Sequence, residues 1–169
     1  MRKITSNEVR ELATDIENEL DSLRRLEDDI QRAQIAIQRD ATHADLFYKS
    51  LALDLHNFYT GCERIFQLIA SELNGAVPTG QDWHRRLLSR MSTVYKERPA
   101  VIAAETEKAL KEYLAFRHIV RNIYGFELDP QRVERLVVGY FPVWHQFEGQ
   151  VRDFEDWLRT LADGLEQGE

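Results

Sequence analysis

Apolar positions recur at helical spacing along most of the chain. From Thr5 to about Arg39, Val9, Leu12, Ile16, Leu23, Leu26, Ile30, Ala33 and Ile37 return every three to four residues or a multiple of it, the rhythm of one long amphipathic helix. Thr5, Ser6 or Asn7 offers a side-chain oxygen to cap its first turn. A second run, about Ala44 to Leu73, places Leu51, Leu55, Phe58, Cys62, Ile65, Phe66, Ile69 and Leu73 on a broad face; Asn74-Gly75, Pro78 and Gly80 end it. These two helices are expected to form an antiparallel hairpin. A short third helix is predicted from near Gln81, carrying Trp83, Leu87, Leu88 and Met91 and stopping before Pro99, because the residue ahead of a proline avoids helical geometry. The fourth is predicted over about Pro99 to Ile123, with proline at a position whose amide needs no partner. Gly125 and Leu128-Asp129-Pro130 make a stop and a restart, and a fifth helix follows to about Leu165, kinked or broken near Pro142. No period-two alternation survives beyond a few residues. The expected fold is an all-α, antiparallel up-and-down bundle of four long helices plus one short helix, a single domain over residues 1–169.

Composition agrees with that expectation. With 43% apolar residues in 169, a core can form without disulfides. Cys62 is the only cysteine and sits in the apolar pattern of the second helix, so it reads as a small buried hydrophobe. The N-terminal stretch MRKITSNEVRELATDIENEL has no apolar run of signal-peptide length, and no run of about 18 apolar residues occurs anywhere. A cytoplasmic protein that does not span a membrane is expected. The formal charge of −7 argues against nonspecific coating of nucleic acid. The average conceals an asymmetry, however: Arg85, Arg86, Arg90, Lys96 and Arg98 crowd residues 84–98, whereas Glu148, Asp153, Glu155, Asp156, Asp163, Glu166 and Glu169 crowd the C-terminal part. A local anion site is therefore compatible with an acidic chain.

Most familiar chemistry has no support. No Glu-x-x-His occurs, and the acid–imidazole pairs Asp54/His56 and Asp82/His84 stand at i,i+2, pointing about 200° apart on a helix. No metal site or cofactor is expected. There is no phosphate-cradling glycine loop and no nucleophile elbow. The exception is FRHIVRNIYGFELD, Phe116 to Asp129. Arg117, Arg121 and Tyr124 fall at i, i+4 and i+7 on one face, and His118 and Asn122 share the adjoining one. These residues either answer the helix dipole at a C-terminus or open on a cleft, an interface or solvent, since burying them unpartnered is costly.

This segment resembles the motif of the HEPN superfamily in its HepT-like toxin branch: arginine, a polar residue, three more residues, histidine, one residue and tyrosine near a helix end, running into a Tyr-Gly-x-x-Leu-Asp-like tail. Arg117 matches the arginine, His118 the polar residue, Tyr124 the tyrosine, and Tyr124-Gly125-Phe126-Glu127-Leu128-Asp129 the tail. LALDLHNFYTGCERIFQLIA and DWHRRLLSRM also look like this branch. At the position of the family's catalytic histidine this chain has Asn122.

The resemblance implies a metal-independent endoribonuclease in which the ribose 2′-hydroxyl attacks the adjacent phosphate. Arg117 would face the developing charge, and an imidazole would move protons near neutral pH. It further implies a homodimer with a composite site, and a minimal nucleotidyltransferase antitoxin that attaches AMP to Tyr124, adding bulk and negative charge where RNA would bind. Asn122 cannot act as acid or base. Either the chain is an inactive relative, or the histidine was replaced deliberately, or His118, one helical turn away, takes over. Arg121, His84, Arg85, Arg86 and Arg90 are candidates to contact RNA phosphates. Tyr140, Phe141, Trp144, Phe147, Phe154 and Trp157 lie on a helical stripe and are assigned to core or dimer contacts rather than base stacking. The alternative to an enzyme is an inactive dimeric binding or interaction module.

Overall fold

The computed structural model describes residues 4–124 and 127–168. Its helices are α1 (Ser6–Arg39), α2 (Ala44–Leu73), α3 (Trp83–Met91), α4 (Ala104–Asn122) and α5 (Pro130–Gln167), with a 3₁₀ turn, Ala41–His43, between α1 and α2. No β-strand occurs among the described residues; one isolated bridge joins Tyr95 and Arg98.

Local chemistry sets the boundaries. Thr5 caps α1 through a reciprocal box in which its hydroxyl accepts from the Glu8 amide and the Glu8 carboxylate accepts from the Thr5 amide. Asp129 accepts from the Gln131 amide at 3.0 Å, and Pro130 fills the first position of α5. Gly75 and Gly80, with φ of +84° and +98°, supply the left-handed turns between α2 and α3.

The third helix starts at Trp83, after the turn at Gly80 and close to the expected Gln81. Two expectations need correction. The fourth starts at Ala104 rather than Pro99, because the amides of Val101 and Ile102 bond back to the Met91 carbonyl at the end of α3. This burial of Val101 and Ile102 competes successfully with continuing the helix. The fifth helix is continuous through Pro142 to Gln167, so of the expected kink or break the break does not occur. Pro142 lies on the exposed side, and the buried Tyr140, Trp144 and Phe147 hold the helix on the core around it. The stop expected at Gly125 lies outside the described residues.

The helices run up and down. Arg10 pairs with Asp163 and Glu166, Arg24 with Glu148, and the Trp144 indole donates to Glu27, so α1 and α5 are antiparallel along most of their length. Between them lies a continuous apolar core whose centre is Phe58, edge-on to Tyr113, Tyr140, Trp144 and Phe147. Tyr140, Trp144, Phe147 and Phe154 are thus core residues. Cys62 is also buried, which pushes its thiol well above the usual range and leaves it an unreactive core residue. No helix among the described residues is long and apolar enough to cross a membrane.

Candidate functional site

The middle of α2, the start of α3 and the last turns of α4 meet around one acid. Leu55, Phe58, Cys62 and Phe66 turn α2 into the core, and the same packing carries Glu63 inside, 3% exposed. A carboxylate so far from water requires opposite charge or hydrogen bonds. Arg117 of α4 donates from one terminal nitrogen to Oε1 at 3.0 Å. His84 of α3 places Nδ1 2.5 Å from Oε2, where Nδ1–H donates to the carboxylate. The Arg117 nitrogen and His84 Nδ1, 3.4 Å apart, are neighbouring donors to one carboxylate rather than a further bonded pair. Arg117 Nε is buried and has no hydrogen-bond partner among the described residues.

One further imidazole packs against this cluster. The ring of His84 stacks on Trp83 at 3.6 Å and meets the His118 ring edge-on at 5.3 Å. Partial burial, then the neighbouring His84 and Arg117, hold the pKa of His118 below its ordinary value. His56 on α2 is also lowered, first by burial and then by Arg117 and Arg121, with Asn57 opposing. His56 therefore stands in the field of the motif arginines. Asp54, two residues earlier, faces a different way: burial and then Asp29 of α1 push it up to about 6. The pair does not converge, as the i,i+2 spacing predicts.

Asn122 is exposed and its amide donates to the His118 carbonyl at 2.7 Å, one turn back along its own helix. Tyr124 lies just beyond α4, 71% exposed, and its backbone amide donates to Glu127 Oε2 at 2.9 Å. Arg121 and Arg85 are exposed. Arg86 and Arg90 donate to the carbonyls of Thr79 and Ala76, both at 3.1 Å, and so brace the 75–80 loop. Of the basic segment 84–90, the structure thus brings His84 to Arg117 and turns Arg86 and Arg90 toward that loop. Among the described residues, no group of three His, Cys, Asp or Glu side chains is placed to hold a metal ion.

Glu63 escapes a search for motifs. The signal it leaves is subtler: it lies at i+4 from Tyr59 and i+8 from Leu55, a charge within the apolar stripe of α2. Such a residue demands a partner, and sequence spacing alone does not name one.

A family model described as HepT-like protein matches residues 50–158, a span that contains Glu63, His84, Arg117, His118, Asn122 and Tyr124. No curated protein matches, and no solved structure matches.

Proposed function

Because the chain belongs to the HepT-like family of the HEPN superfamily, we propose that it is the ribonuclease toxin of a toxin–antitoxin pair. It cuts RNA without a metal ion and is neutralised by a minimal nucleotidyltransferase that attaches AMP to Tyr124. The observation that carries this reading is the meeting of Arg117 and His84 at one buried carboxylate, with the His118 ring against His84. A guanidinium there stabilises charge building on a phosphate, and imidazoles exchange protons near neutral pH. Tyr124, exposed beyond the end of α4, is open to modification. A homodimer would bring two copies of this site together about a twofold axis.

A second reading, a binding module without cleavage, is favoured by Asn122, whose amide is engaged with its own helix and cannot move protons. Incubation of total RNA in EDTA with the protein, Arg117→Ala and Asn122→His separates the two. The ribonuclease reading predicts products with 2′,3′-cyclic phosphate ends, reduced about 100-fold or more by Arg117→Ala. Cleavage gained only with Asn122→His marks a disabled ribonuclease. Silence in every variant supports the binding module.

A further inference from the structure

Asn122 removes one imidazole from the site, yet the fold delivers another from a different helix. We propose that His84, fixed by Glu63, is a catalytic residue that protonates the leaving oxygen, with His118 as its partner base. This rests on the ribonuclease reading above.

Orientation is the first argument. His84 donates its Nδ1–H to Glu63, so the ring nitrogen left for a ligand is Nε2, and a ring protonated on both nitrogens gives up the Nε2 proton and becomes neutral. Glu63 is 3% exposed and also bonds Arg117, so it fixes the imidazole and the guanidinium relative to each other. Trp83 covers one face of the His84 ring and the His118 ring packs perpendicular to it, which leaves the ring little freedom. About 15% of the His84 side chain reaches the surface, so the ring is not sealed inside the core. Proximity is the second argument: ring centres 5.3 Å apart bring two imidazoles together beside one guanidinium, near enough for both to reach oxygens of a single phosphodiester. His118, held toward its neutral form by burial and by His84 and Arg117, suits the base.

The step balances. His118 removes the proton of the ribose 2′-hydroxyl as the 2′-oxygen bonds to phosphorus. The bond from phosphorus to the 5′-oxygen breaks, and that oxygen takes a proton from Nε2 of His84. A 2′,3′-cyclic phosphate and a 5′-hydroxyl result, and solvent returns the two imidazoles to their starting states. Arg117 faces the phosphoryl charge, and Glu63 is a positioning residue.

The test is cleavage in EDTA of a short RNA and of the same RNA with sulfur replacing the scissile 5′-oxygen. A thiolate leaves without protonation, since a thiol titrates near 8.5. On the oxygen substrate, His84→Ala and His118→Ala are expected to lose about 100-fold or more in kcat. On the sulfur substrate, the His84→Ala deficit is expected to shrink to less than about tenfold, while that of His118→Ala persists. Glu63→Gln, which also loosens Arg117, is expected to lose activity on both substrates, with the larger loss on the oxygen substrate. Should His84→Ala fold poorly, His84→Gln gives the same comparison, because a structural defect lowers both substrates alike. Equal deficits on both substrates, or near-normal activity in His84→Ala, overturn the proposal. If the starting protein is inactive but Asn122→His cleaves, the ribonuclease reading of the site stands and the role of His84 is refuted. If neither cleaves, both fall.

Discussion

Glu63 and Arg117 are each nearly buried, with side chains 4% and 11% exposed, so neither charge is well solvated if the other is removed. Breaking such a pair from one side costs about 3–5 kcal/mol, whereas replacing both members with apolar residues is often nearly neutral. Urea unfolding should show Arg117→Met and Glu63→Met each strongly destabilised, and the double variant recovering most of the loss. Additive losses would contradict a direct pair. Glu155 poses a different problem. It is 1% exposed, its Oε1 lacks a partner among the described residues, and Arg152 approaches Oε2 only to 3.9 Å. Burial pushes its pKa up to about 7, against the opposing pull of Arg152 and Arg159 and with smaller support from Glu17 and Asp156. Between 4.5 and about 7 the folded chain therefore binds more protons than the unfolded one, and stability falls as pH rises through that window. Glu155→Gln should be more stable than the parent by on the order of 1–3 kcal/mol above this window, with the advantage vanishing below it. A constant difference across pH would contradict that assignment.

Among the elements, the hairpin of α1 and α2 was the most legible, because its apolar stripes are long. Thr5, Asp129 and Pro130 take the capping roles their types suggest. The start of α4 was not legible: Pro99 suits a helix start, but whether Val101 and Ile102 instead fold under α3 depends on the end of another element. Likewise Pro142 signals a break only while the packing of Tyr140 and Trp144 is unknown. The contact between α1 and α2 depends on a missing side chain. A Cβ on Gly61 would stand 2.4 Å from one Leu23 methyl and 2.9 Å from its Cγ. Gly61→Ala should cost about 1–3 kcal/mol by overpacking, measured by thermal or urea unfolding. In a Leu23→Ala background the same change should cost nothing measurable, since the clash is gone.

On the scale of the whole molecule, periodicity sufficed for the bundle because each helix advertises its buried face locally. The site was only half visible for the opposite reason. Arg117, His118, Asn122 and Tyr124 are close in sequence and stand out together, but Glu63 and His84 reach them across 54 and 33 residues from Arg117. That convergence is a property of how α2, α3 and α4 pack, and no spacing rule encodes it. It also places the site on the part of an acidic chain where Arg85, Arg117 and Arg121 lie close in sequence to its imidazoles, leaving the acidic residues concentrated toward the end of α5. The central claim is that RNA is cut by its own 2′-hydroxyl at the Arg117 site. Its most direct test is a single RNA oligonucleotide, cleaved in EDTA, compared with the same oligonucleotide carrying a 2′-O-methyl group at the scissile nucleotide. The account predicts cleavage of the first, dependent on Arg117, and none at the blocked position of the second. Equal cleavage at the blocked position would contradict it.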